Sequence, residues 1–292
     1  MISNALTIDV EDYFQVSAFS NIVDYKDWDR HDCRVERNTA HILRLFSDAG
    51  VKATFFVLGW VASRYPNIVR EIADQGHEVA CHGYSHQLIY RQSPAEFRSE
   101  TVSAKALLED QAQCRVLGYR AASYSITNQS LWALDILNEC GFEYDSSIFP
   151  IRHDRYGIPD AEQRPHLHAT PNGGRIVEFP VTALDLHLAK LPLGGGGYFR
   201  LFPYWLTRSG LRWVNTMNKM PFIFYLHPWE IDVDQPRLNG TWFSRFRHYN
   251  NLDRCETRLK SLLQDFKFEP VKNVLANLQL LPMQTDARPN AA

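Results

Sequence analysis

Residues 42–57 read ILRLFSDAGVKATFFV, and the order of events in that stretch decides the fold. Ile42, Leu43, Leu45, Phe46 and Ala49 share one helical face, Gly50 stops the helix, and Ala53–Val57 is a short apolar run. Glycine stops a helix readily because it adopts the left-handed conformation that side chains resist. The same order recurs in residues 68–80, IVREIADQGHEVA, and in residues 131–144, LWALDILNECGFEY, with Gly76 and Gly141 as the stops. Ser93-Pro94-x-Glu96 has the form of a capping box with proline at the first helical position, opening a helix to about Asp110 that leads into a strand at Val116–Tyr119. Short apolar runs suit parallel strands covered on both faces. Repeated helix–strand units therefore predict an α/β fold around a parallel sheet, open or closed into a barrel.

The grammar changes after Pro150. Residues 151–175 are rich in His, Arg, Pro and Gly and read as a long loop. A strand is expected at Ile176–Val181, a glycine run at Gly194–Gly197, a helix from Pro203 to about Met217, and a strand at Phe222–Leu226. Amphipathic helices are expected over Asp253–Phe266 and, more weakly, Val271–Leu280, with fraying over 283–292.

Composition narrows the function. The chain has 292 residues, 45% hydrophobic and 22% charged, with a net charge of −2 and no Lys/Arg block, which argues against a general nucleic-acid binder. Local basic patches could still serve an acidic substrate. Five cysteines, Cys33, Cys81, Cys114, Cys140 and Cys255, are widely spaced without a CxxC pair, so reduced and mostly buried thiols are expected rather than a thiolate zinc site. No run approaches the length of a membrane span, and the first residues lack a basic stretch followed by a long apolar one. A soluble, cytoplasmic chain is the expectation.

Polar residues collect where strands end. Ala5–Ile8 leads into Asp9-Val10-Glu11-Asp12, Glu78–Ala80 into Cys81-His82-Gly83-Tyr84-Ser85-His86, Val116–Tyr119 into Arg120, Phe142–Tyr144 into Asp145, and Phe222–Leu226 into His227. The C-terminal ends of parallel strands open on one face, where active sites of such folds lie. An HxxxH pair on a helical turn would aim both rings the same way, and two imidazoles with a carboxylate make a three-ligand metal site with room for water. An isolated HxxxH is more often a chance match; its strand-end context reverses that weighting.

The ordered set resembles the NodB-homology polysaccharide deacetylases, a carbohydrate esterase family. The resemblance implies a distorted, incomplete (β/α) barrel of the NodB-homology type with a mainly helical C-terminal extension. It covers roughly residues 5–150 and 220–232. The corresponding domain plan is a barrel over 1–232, with an insert at 151–220, and an extension over 233–292 packed on it. Segments such as Gly118-Tyr119-Arg120-Ala121 and His227-Pro228-Trp229-Glu230-Ile231-Asp232 are similar to a subgroup associated with exopolysaccharide and exosortase-type loci.

By this resemblance Asp9 is the catalytic base, held by Arg120, and the metal ligands are His82, His86 and a carboxylate placed on Asp12, with Glu11 as the alternative. His227 is the general acid, tuned by Asp145. A backbone N–H near Ser123 or Tyr124 stabilises the oxyanion, and Phe149 and Trp229 stand near substrate. One divalent metal is implied, with zinc favoured and cobalt, nickel or iron allowed. The implied substrate is an N-acetylated glycan. Tyr198, Phe199, Trp205, Trp229, Trp242 and Phe243 could stack on sugars, although any one of them is more often core. Two other readings remain: a hydrolase of small non-peptide amides, and a catalytically silent glycan-binding or assembly protein.

Overall fold

The computed structural model describes residues 2–153, 155–186 and 189–283. In chain order the elements are β1 (Ser3–Val10), α1 (Val35–Ala49), β2 (Thr54–Val57), α2 (Gly59–Arg64), α3 (Pro66–Asp74), β3 (Glu78–Cys81), α4 (Pro94–Ala112), β4 (Gly118–Tyr119), α5 (Trp132–Glu139) and β5 (Tyr144–Asp145). There follow β6 (His166–Ala169), β7 (Arg175–Glu178), β8 (Ala183–Asp185), β9 (Lys190–Pro192), α6 (Gly196–Leu201), α7 (Tyr204–Thr216), β10 (Ile223–Leu226), α8 (Trp242–Tyr249), α9 (Leu252–Asp265), β11 (Lys267–Glu269) and α10 (Val271–Asn277). The expected fraying over 284–292 lies outside the described residues.

The main sheet runs β10-β1-β2-β3-β4-β5-β7-β6, and β11 pairs with the start of β1. Its ladders are parallel except for β6 against β7. β2, β3 and β10 are buried along their whole length, so the apolar runs that marked them are covered on both faces. The helix stops also behave as expected: Gly50 caps α1 at φ 65°. The Ser93–Glu96 capping box forms, with Glu96 N–H donating to Ser93 Oγ at 3.3 Å and Ser93 N–H to Glu96 Oε2 at 2.8 Å.

Among the described residues the sheet does not close on itself by ladder pairing. The gap beside β10 is instead crossed by the segment around the β8–β9 hairpin. Val181 N–H donates to Ile148 O at 3.0 Å, Ile223 N–H to Thr182 Oγ1 at 2.8 Å, and Tyr225 N–H to Gly194 O at 2.7 Å. Gly195, at φ 129°, packs so close to Tyr225 that a side chain would collide with its carbonyl oxygen. The glycine run therefore lets a loop close against a strand before α6 begins. The molecule is an α/β fold with an incomplete barrel and a helical C-terminal region, as the resemblance implies.

Two local expectations are corrected. Residues 151–175 are not loop throughout, because the alternately half-buried segment His166–Ala169 pairs as the edge strand β6. The expected extension is woven into the sheet as well as packed on it. β11 pairs with Ser3–Ala5, α9 inserts Leu252, Cys255, Leu259 and Leu262 into the main core, and the first turn of α10 is tied to the lower ends of β2 and β3. There Val271 N–H donates to Thr54 Oγ1 at 2.8 Å and Lys272 N–H to Glu78 Oε2 at 3.1 Å, satisfying amides that a helix start leaves open.

Candidate active site

Side chains alternate along β1, so Thr7 and Asp9 share a face. Arg120, at the end of β4, reaches both: its Nη1 lies 2.7 Å from Thr7 Oγ1 and 2.7 Å from Asp9 Oδ1. Nη2 donates to Ser146 Oγ at 3.0 Å, and the guanidinium stacks 4.1 Å from the Phe56 ring. Arg120 and Asp9 are both buried, so the pair depends on these further contacts to offset the loss of hydration. Asp9 Oδ2 is thereby turned toward His227, whose Nε2 lies 3.9 Å away.

Immediately beyond, Glu11 N–H donates back to Asp9 O at 3.0 Å, a tight turn that separates the next two carboxylates. Glu11 enters the mouth and stands 2.7 Å from His86 Nε2 through Oε2 and 3.5 Å from His227 Nε2 through Oε1. Burial alone would raise its pKa, but the facing rings of His86, His227 and His82 outweigh it and hold the carboxyl at about 2.

Asp12 turns the other way, which corrects the expectation that it supplies the metal carboxylate. Its Oδ1 accepts from Tyr13 N–H at 2.8 Å; its Oδ2 accepts from Cys33 Sγ at 3.0 Å, Val35 N–H at 2.8 Å and Arg34 N–H. Those last amides open α1, so Asp12 caps that helix from a distant loop. The carboxylate facing the two histidines is Glu11, the alternative left open by the sequence.

His82 and His86 do not sit on a helical turn. The chain after β3 is an irregular loop with Gly83 at φ 76° and His86 itself at φ 53°. That strained loop, rather than helical spacing, brings the rings to a centroid separation of 5.4 Å. His82 Nδ1 is held by Arg120 O at 2.8 Å, which leaves Nε2 for the mouth. Burial lowers His82 to about 4, only partly offset by Asp9 and Glu11, so the ring is neutral and its lone pair available near pH 7.

Donor atoms of Glu11, His82 and His86 lie within 4.8 Å of one another. Glu11 Oε2 is buried with no hydrogen-bond donor aligned on it despite its closeness to His86. A buried carboxylate oxygen left orphaned between imidazoles is the donor set that a divalent ion such as zinc completes.

The opposite wall is built around His227. Its Nδ1 lies 2.8 Å from Glu230 Oε1, and Glu230 Oε2 accepts from Arg200 Nε at 2.6 Å. Arg200 is fully enclosed and spends its remaining donors on the carbonyls of Arg247, His248 and Asn250. The Trp229 ring is sandwiched between His227 at 5.1 Å and His248 at 4.1 Å. Burial opposes the charge on His227, but Glu230, Glu11 and Asp9 raise its pKa to about 9.

Asp145 is therefore not the carboxylate on His227. It accepts from Ser147 Oγ at 2.6 Å, and Ser147 Oγ accepts from Ala121 N–H at 2.8 Å, so Asp145 braces the loop that follows Arg120. Burial pushes Asp145 up to about 6 and Glu178 well above the carboxylate range, so the adjacent pair retains a proton.

Ser123 and Tyr124 occupy consecutive left-handed positions at φ 50° and 55°, a strained loop of the kind concentrated at functional sites. Tyr124 N–H is already given to Ala121 O at 3.0 Å. Phe149 is enclosed and stands edge-on behind Tyr124 at 5.7 Å, supporting the loop rather than lining the cleft.

Glu230, Arg200 and His248 were not anticipated. The signal for Glu230 was present: His227-Pro228-x-Glu230 has capping-box spacing, and Glu230 does bond the His227 amide at 3.1 Å. Arg200 had no comparable signal. Of the aromatics expected near substrate, Phe199 is core, Tyr198 and Trp229 line the cleft, and Trp205, Trp242 and Phe243 are exposed.

Asp9, Glu11, His82, His86, Arg200, His227, Trp229 and His248 border one cleft. Its floor is Asp9, Glu11, His82, His86 and His227, and its outer wall includes Tyr156, Tyr198, Phe246 and Arg247. Among the described residues no helix is long and apolar enough to cross a membrane.

Comparisons with known proteins divide the chain near the same line as the two walls. Residues 27–144 match the family model for polysaccharide deacetylase, and residues 146–276 match a domain of unknown function (DUF3473). A peptidoglycan-N-acetylglucosamine deacetylase of Bacillus cereus is 37% identical over 81 residues, 28% of this chain and 28% of that protein. A chitooligosaccharide deacetylase of a Bradyrhizobium species is 30% identical over 99 residues, 34% of this chain and 43% of that protein. The matches thus span less than half of each relative's length. Among solved structures, one described as a Mycobacterium smegmatis polysaccharide deacetylase superposes with a TM-score of 0.62 at 19% identity, covering 98% of this chain and 93% of that one. An allantoinase, PuuE, gives 0.60 at 15% identity, covering 97% and 93%. The fold is therefore shared across its whole length, and residues 27–144 carry polysaccharide-deacetylase sequence.

Proposed function

We propose that this chain is a metal-dependent hydrolase that removes acetyl groups from the nitrogen of an N-acetylated glycan. The observation that carries the reading is the convergence, in one cleft, of an Arg120-clamped Asp9, the Glu11–His82–His86 donor set and a His227 held protonated by Glu230. A divalent ion on that donor set, zinc by preference, supplies Lewis-acid polarisation of the amide carbonyl and lowers the pKa of attacking water.

The chain's own groups do the rest. Asp9 accepts a proton from the attacking water; Arg120 and Thr7 fix its orientation. The Ser123 amide donates to the developing oxyanion. His227, opposite Asp9, donates its proton to the departing amine, so acetate and a free amino sugar leave. Trp229 and Glu230 hold the His227 ring in place for that transfer.

The two similar deacetylases act, by their names, on peptidoglycan N-acetylglucosamine and on chitooligosaccharide. A β-linked N-acetylglucosamine polymer or oligomer is thus the first substrate to try. Similarity of several segments to exopolysaccharide-locus proteins supports a place in exopolysaccharide synthesis. The test is acetate release from N-acetylated oligosaccharides with and without a chelator, with a cyclic ureide as the control because the fold is shared with an allantoinase. Chelator-sensitive release from the glycan is expected; turnover of the ureide alone would overturn the proposal.

A further inference from the structure

Helix α8 carries its largest apolar side chains on the outside. Trp242, Phe243 and Phe246 are 77%, 59% and 41% exposed, and Trp242 stacks on Phe246 one turn later at 5.5 Å. At about 100° per residue these rings form a stripe about 100° wide, with Arg245 on one flank and Arg247 on the other. His248, the one buried residue of the helix, points the opposite way. Trp242 and Phe243 are therefore turned to solvent, while Phe246 at the stripe's inner edge reaches the outer wall of the cleft.

The surroundings fit one kind of occupant. From Gln235 to Leu252 the chain holds Arg237, Arg245 and Arg247 and no Asp or Glu. Leu201, 45% exposed, shares the cleft wall with Phe246, so the apolar surface continues to the mouth of the site. The face of the stripe itself offers no carboxylate or amide side chain of the kind that grips sugar hydroxyls. Trp and Phe flanked by arginines are the composition of a helix lying in the headgroup region of a bilayer, rings at the acyl boundary and guanidinium groups on the phosphates.

We propose that α8 seats the protein on an anionic phospholipid surface, with the cleft mouth beside the membrane. This does not depend on the deacetylase reading, since lipid binding is measured without turnover. The full chain is sedimented with vesicles of phosphatidylcholine alone and of phosphatidylcholine with phosphatidylglycerol. Binding to the anionic vesicles is expected, weakening as salt is added. The exposed double variant Trp242→Ser/Phe243→Ser should lower the vesicle association constant about tenfold or more, and Arg245→Gln about fivefold. Both should keep the wild-type melting temperature. Failure to bind anionic vesicles, or undiminished binding by the double variant, overturns the proposal. So does a dimer of the wild-type chain that the double variant abolishes, or loss of affinity for a soluble chitooligosaccharide with vesicle binding intact. Those results would assign the stripe to a second copy or to a glycan.

Discussion

The N-terminal half delivers Asp9, Glu11, His82 and Arg120 directly from the ends of the parallel strands β1, β3 and β4, with His86 a few residues on. The C-terminal half delivers only His227 that way, then braces it with Glu230 from the next turn, Arg200 from α6 and ring stacking that reaches His248 on α8. On the first side strand register sets the geometry, and register is shared by the whole sheet. On the second side the geometry rests on a buried ion pair between segments with no common ladder. Groups placed by the sheet should therefore fail chemically when changed, whereas groups placed by the ion pair should fail structurally as well.

The largest effects test the acid–base pair across that divide. Asp9→Asn and His227→Ala should each lower kcat by about 10²–10⁴ while metal content stays close to wild type. Near-normal turnover in either would remove that residue from its role. Next comes the ion pair. Arg200→Met breaks the buried Arg200–Glu230 pair and should cost about 3–5 kcal/mol in denaturant unfolding; an unchanged midpoint would show that the C-terminal wall is not braced as described.

A smaller effect separates Glu230 from Asp145. In the proposed reaction His227 acts in its protonated form; its pKa is raised to about 9, so activity is expected below that region and should be lost as pH rises through it. Glu230→Gln removes a carboxylate that raises the pKa and should move the alkaline limb of kcat to lower pH. Asp145→Asn, which lies in the Ser147 network, should leave that limb where it is. A shift with Asp145→Asn and none with Glu230→Gln would reverse the assignment.

Much of the sheet-built side was legible in the sequence because glycine stops, apolar runs and strand-end polar residues are local signals. The α/β class, the capping box at Ser93 and the gathering of Asp9, His82, His86, Arg120 and His227 at one mouth are all of this kind. What escaped was decided by backbone direction over one or two residues. Whether Glu11 or Asp12 faces the histidines depends on the tight turn at Asp9–Glu11, and the distant amides of Arg34 and Val35 give Asp12 another use. The HxxxH spacing suggested a helix, while left-handed Gly83 and His86 achieve the approach without one. Arg200 was invisible because its partner is 30 residues away and its segment has no periodic pattern.

The most direct measurement is the metal content of two neighbouring variants, determined by elemental analysis of the purified proteins. Glu11→Gln should lose the ion while remaining folded. Asp12→Asn should keep it and instead lose about 1–2 kcal/mol of stability through the weakened cap on α1. Metal retained in Glu11→Gln and lost in Asp12→Asn would contradict the Glu11–His82–His86 site.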